Sequence, residues 1–212
     1  MEKLLGLFDQ SLDRDALDEI FTFYVDQRGA TVALAELSAI FWSACSYFAA
    51  IPEERVAAIL KMICTQTDLL SYHLLQSEEK LQKRFILSQW RLFSRYFARK
   101  CRTPLAEDGT IVDQGLDQLS QLCYMWWDII DIAPTSEPPN ECVVQFYIIR
   151  VLERLLASRS EACVVSALHG LSHFIDTAPF EVDRIFARYL ARLTPPSSLY
   201  SFAIRARGGA LL

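Results

Sequence analysis

The chain has 212 residues, of which 52% are apolar and 22% charged, with seven glycines, eight prolines and a net charge of −5. This is ample material for one hydrophobic core, and too few chain breakers for a disordered or loop-rich β protein. The acidic balance, with a pI near 5.3, also argues against a nucleic-acid binder, whose affinity comes mainly from neutralising phosphates.

Apolar residues recur at spacings of three and four almost throughout, and no stretch alternates with period two. The pattern predicts an all-α chain. The N-terminus, Met1 to Asp9, has too short an apolar run and too early an acid for a secretory signal. Ser11 opens a first helix with Asp13 and Asp15 in its acidic first turn, and Gly29 closes it after Arg28. Thr31 can cap the next helix. Between Thr31 and Ile51 the only charge is Glu36, but serines and alanines interrupt the stretch, so it reads as a buried helix and not a membrane span. Pro52 with Glu53 and Glu54 opens a third helix, and Ser77 with Glu78 and Glu79 a fourth.

Pro104 and Asp108-Gly109 mark a loop over 103–110, and the double proline marks another over 134–140. Helix starts are thus expected near residues 12, 31, 52, 77, 113, 139, 160 and 180, with a short last helix after Pro195-Pro196. Spacing of this kind suits successive antiparallel helices in a single domain over 1–212.

Charge is segregated along the chain. Residues 78–102 carry eight basic and two acidic side chains, whereas 103–149 carry eight acids and no base. Arg84, Arg91, Arg95, Arg99 and Arg102 form one stripe, suited to phosphates or an acidic partner segment, or else a solvated face or a match to the acidic block that follows. Trp126 and Trp127 point about 100° apart on a helix, so one ring is expected at an interface unless the helix is covered on two sides.

His169 and His173 stand four apart and can converge on a metal, with Asp176, Asp183 or the distant Asp128 as a third ligand. Position 170 is glycine, so the glutamate of an H-E-x-x-H metalloprotease is missing. His73 has no nucleophile beside it, and no glycine-rich phosphate loop or G-x-S-x-G turn occurs. The sequence therefore leans away from an enzyme and implies no cofactor. The six cysteines lack any C-x-x-C pair and read as small buried hydrophobes in a reducing, cytoplasmic compartment.

The stretch Ser166-Ala167-Leu168-His169-Gly170-Leu171, followed by Asp176 and Pro179, resembles the Ala-Leu-x-x-Leu core of a HEAT or armadillo helix over about 30 residues around 160–192. It departs from the family at Val182-Asp183-Arg184, where an acid interrupts the usual Val-Arg. The resemblance implies an irregular right-handed α-solenoid of stacked antiparallel helix pairs, with a compact helical bundle as the alternative. It also implies a noncatalytic scaffold for a protein partner or self-association. Arg91, Arg95, Arg99, Trp126 and Trp127 would form the contact surface. The alternatives are a metal-dependent enzyme centred on His169 and His173, or a HEAT-like nucleic-acid-binding protein such as a DNA glycosylase.

Overall fold

The computed structural model describes residues 19, 21–25, 29–65, 73–129 and 139–210. The first helix start expected near residue 12 lies outside them. The described residues are helical apart from turns and one isolated antiparallel bridge between Leu105 and Ile111. The main helices are α1 (Ala30–Trp42), α2 (Glu53–Thr65), α3 (Glu79–Arg91, continued by Leu92–Phe97 and Ala98–Lys100), α4 (Gln118–Ile129), α5 (Pro139–Leu155), α6 (Glu161–Ser172), α7 (Pro179–Leu190) and α8 (Ser198–Arg207).

Local chemistry sets most of these boundaries. Asp117 caps α4 by accepting from the Ser120 amide at 2.7 Å, and Ser197 caps α8 by accepting from the Tyr200 amide at 3.2 Å. Pro179 occupies the first turn of α7, where its missing N–H costs nothing. The start of α1 differs from expectation. Gly29, at φ 82°, precedes Ala30 and supplies the left-handed entry, so Thr31 lies inside the first turn instead of capping it. Pro139 begins α5 and so belongs to a helix, while 134–138 lie outside the described residues.

The middle of α3 is a π-helix over Leu92–Phe97, which periodicity did not announce. Buried residues of α3 repeat at intervals of four, through Phe85, Gln89, Phe93 and Phe97. On a regular 3.6-residue helix such a run drifts by about 40° per step. The wider turn offsets that drift and keeps Phe93 and Phe97 facing the same neighbours.

Packing follows an alternating pattern: α1 lies against α3 and α3 against α5, while α2 lies against α4, α4 against α6, and α6 against α8. Neighbours within a layer run in the same direction. On α4 and α6, Cys123 meets Ser166, Trp127 meets Gly170 and Asp128 meets His173, so both chains advance together. On α1 and α3, Phe41 meets Phe85 and Trp42 meets Arg91.

The core is richest where the two layers meet. Trp126 is fully buried, with Phe41, Phe93 and Phe97 at ring-centre distances of 5.9, 6.0 and 5.5 Å, and its Nε1 donates to Gln89 Oε1 at 3.1 Å. Trp127 stacks on Phe93 at 5.4 Å and is 7% exposed. The sequence kept this outcome open as a helix covered on two sides. Neither indole lines a surface, because α3 covers one and α6 the other. Helix α6 is central, with every residue from Ala162 to Ser172 buried. A helix buried all round cannot show an amphipathic stripe, and α6 does not.

Glycine is required at position 170. A Cβ there would lie 2.7 Å from Trp127 Cγ and 2.8 Å from Leu152 Cδ2, since the indole packs directly on the helix backbone. The 101–117 connection is tied down in a similar way. Gly109 touches the α8 backbone at Phe202, and Arg205 donates to its carbonyl at 3.4 Å. No helix of the described residues is long and apolar enough to cross a membrane.

Candidate functional sites

Two places concentrate chemistry, one on the surface of α3 and one between α4 and α6. On α3 the guanidinium of Arg91 lies over the ring of Trp42, 4.9 Å from its centre, and 5.8 Å from that of Trp90. Trp42 is half exposed, at 50%. Arg95 and Arg99 are exposed further along the same rod, where Cys45 donates its thiol to the Arg95 carbonyl at 3.1 Å and Arg99 Nη1 comes within 4.0 Å of Cys45 Sγ.

Among the described residues none of Arg91, Arg95 and Arg99 forms an ion pair, whereas Lys100 nearby pairs with Glu53. The acids of 103–129 therefore do not neutralise the stripe. At the other end of this face, Ser38, Ala39, Trp42, Ser43, Tyr47 and Arg84 line a groove of about 420 Å³. Sequence reasoning missed Trp42. It sits in an apolar run with no charge beside it, and its exposure arises only because α3 covers the opposite side of α1.

Between α4 and α6 the histidine pair meets Asp128, the most remote of the three acids considered. Asp128 Oδ1 lies 3.3 Å from His169 Nε2 and 2.6 Å from His173 Nε2. Asp176 is exposed in the following turn, and Asp183 pairs with Arg207 at 2.7 Å, so neither joins the pair. Equal spacing on parallel helices explains the selection. Tyr124 and Asp128 are four apart on α4, His169 and His173 four apart on α6, and the two ridges face each other.

Tyr124 supplies two further contacts. Its ring stacks on His169 at 4.4 Å, and its carbonyl lies 3.4 Å from His169 Nδ1. His169 is buried, with 3% exposure. Loss of hydration lowers its pKa below the ordinary imidazole value and His173 adds to this, while Asp128 and the Tyr124 carbonyl oppose it. Burial likewise pushes the Tyr124 phenol up to about 12, with Asp128 contributing. Asp128 Oδ2 is buried without a hydrogen-bond partner, and His173 Nε2 makes no directed hydrogen bond despite its closeness to Oδ1.

The structure thus brings together His169, His173 and Asp128 between α4 and α6, and sets the three arginines apart from them on α3. It leaves Trp126 and Trp127 inside the core. Comparison with protein-family models, curated proteins and solved structures gives no match.

Proposed function

We propose that this chain is a noncatalytic interaction scaffold that holds an acidic segment of a protein partner on the α3 face, through Arg91, Arg95 and Arg99 with Trp42 at its edge. The observation that carries this reading is a row of arginines without carboxylate partners beside a half-exposed tryptophan. Arginine and tryptophan are the side chains that most often dominate binding energy at protein interfaces, and an unneutralised row selects an anionic partner. The groove beside Trp42 offers a place for an apolar residue of that segment. The tryptophans of α4 are not part of the proposed surface, since exposing them would cost the core its largest ring contacts.

A HEAT-like solenoid is the architecture we assign to the scaffold. Two layers, each with parallel neighbours two helices apart in sequence, support it. So does the offset between matched residues of α4 and α6, such as Trp127 and Gly170, which suits a repeat of about 40 residues. We place the protein in a reducing, cytoplasmic setting, where the neighbouring thiols Cys101, Cys123 and Cys163 remain free.

Quantitative affinity capture, run in parallel with the parent chain and two variants, tests the surface. Proteins retained by the parent should be lost roughly tenfold or more with the Arg91→Ala/Arg95→Ala/Arg99→Ala triple variant and with Trp42→Ala. Retention should also fall with added salt. A captured set that is identical for all three chains removes this surface from the function.

A further inference from the structure

The histidine pair plays no part in the arginine surface, yet its surroundings impose a chemistry of their own. A backbone carbonyl can only accept a hydrogen bond, so the Tyr124 contact at 3.4 Å favours the tautomer of neutral His169 with its proton on Nδ1. Its Nε2 then carries a lone pair, and that lone pair faces Asp128 Oδ1 at 3.3 Å. Two electron-rich atoms oppose each other inside a buried site. His173 Nε2 brings a third donor to the same oxygen, and Asp128 Oδ2 has no donor to satisfy it. Such a cluster calls for a cation at its centre.

We infer that Asp128, His169 and His173 hold a divalent transition-metal ion of the zinc class between α4 and α6. The three donor atoms lie within 4.8 Å of one another. A tetrahedral ion with bonds of about 2.0–2.2 Å holds its ligands roughly 3.3 Å apart. The separation of 3.3 Å from Oδ1 to His169 Nε2 already fits, and His173 Nε2, at 2.6 Å from Oδ1, would have to draw back by about 0.7 Å.

Two imidazoles and one carboxylate favour zinc, cobalt, iron(II) or nickel over magnesium and calcium, which take oxygen ligands. The Tyr124 carbonyl fixes the ring of His169 as an outer partner does in established metal sites. Side-chain exposure rises from 4% at His169 to 22% at Asp128 and 31% at His173. The ion would therefore be most enclosed at His169 and least enclosed at His173. Water or an anionic oxygen takes the remaining position. Gly170 is occupied by the Trp127 ring, so no carboxylate follows the first histidine to act as a base.

The competing occupant is a proton on His173, which would make the cluster a plain ion pair with Asp128. The full chain, prepared without a histidine tag, is stripped with chelator, dialysed against zinc and assayed by elemental analysis and by titration. The expected result is about one equivalent of zinc, with cobalt giving the visible absorption of a tetrahedral nitrogen and oxygen site, and no competition from magnesium. Asp128→Asn and His173→Ala should each weaken zinc binding by about a hundredfold. Both positions are partly exposed, and circular dichroism on each variant checks that it is folded. Asp176→Asn and Asp183→Asn should bind as the parent does. Retention of less than about a tenth of an equivalent by the parent chain, or zinc affinity in Asp128→Asn and His173→Ala equal to the parent's, overturns the assignment in favour of the proton.

Discussion

Replacing Gly170 by alanine sets two effects of opposite sign against each other. Alanine in a helix interior is favoured over glycine by about 1 kcal/mol. Against this, the new methyl group would sit 2.7 Å from Trp127 Cγ and 2.8 Å from both Trp127 Cδ1 and Leu152 Cδ2. The leucine methyl is the end of a flexible side chain and can rotate away. The indole carbons cannot, because they lie at the root of a ring that stacks on Phe93 at 5.4 Å. Overpacking of this kind costs about 1–3 kcal/mol. With the contacts falling on rigid atoms, the upper part of that range applies, and Gly170→Ala should be destabilising by about 1–2 kcal/mol net. For a chain of this size the loss appears as a fall in Tm of about 2–8 °C, measured by circular dichroism. In a Trp127→Ala background the penalty should shrink or reverse, which a double-mutant cycle reads directly. An unchanged or higher Tm for Gly170→Ala in the parent chain would refute the argument that Trp127 sets the identity of residue 170.

Thiol reactivity should follow burial. Cys64 and Cys123 are fully buried and their pKa values are raised by loss of hydration, whereas Cys45 is only half-buried. Alkylation near neutral pH, followed by peptide mass spectrometry, should label Cys45 well before Cys64 and Cys123; equal rates would contradict the packing. Alkaline titration should destabilise the fold through the buried Tyr96 and Tyr189 as well as Tyr124. Burial raises Tyr96 and Tyr189 from 10.0 to about 12, with Glu53 adding to the shift at Tyr96. The unfolded chain loses those protons first, so this contribution is complete below pH 10 and drains away as pH rises from 10 toward 12. Tyr96→Phe and Tyr189→Phe should each flatten the fall in urea midpoint over that interval, and an unaltered slope would show that the phenols are not buried as described.

The helices were legible because their ends are written in local chemistry. Starts expected near 52, 77, 139, 160 and 180 fall within two residues of Glu53, Glu79, Pro139, Glu161 and Pro179. Each carries an acid or a proline in or beside its first turn. The start expected near 113 was early by five residues, since the capping acid is Asp117 and the stretch before it binds Gly109 and its neighbours to α8. The π-helix in α3 was not legible. It answers a tertiary demand, the need to keep Phe93 and Phe97 in line with the rings of Trp126 and Trp127. The same limit applied to the sites. His169 and His173 share a helix face by spacing alone, but which acid meets them depends on how α4 docks. The exposure of Trp42 and the burial of the α4 tryptophans likewise follow from layer order, which no single segment encodes.

One turn of α4 connects the core to the histidine cluster. Trp126 turns toward Phe41, Phe93 and Phe97, Trp127 toward the bare backbone at Gly170, and Asp128 toward His169 and His173. Three consecutive residues on a helix point about 100° apart, so this turn must be covered on nearly all sides to place all three. The close approach allowed by Gly170 draws α4 and α6 together, and that approach sets the reach of Asp128 to both imidazoles. A methyl group at 170 would therefore act at a distance from the donors, by moving the helices apart and lengthening the two Asp128 contacts. The arginine face of α3 lies in the other layer and would be left as it is. Loss of stability together with loss of zinc affinity, while partner capture is retained, is the combination that separates this shared packing from a general failure to fold.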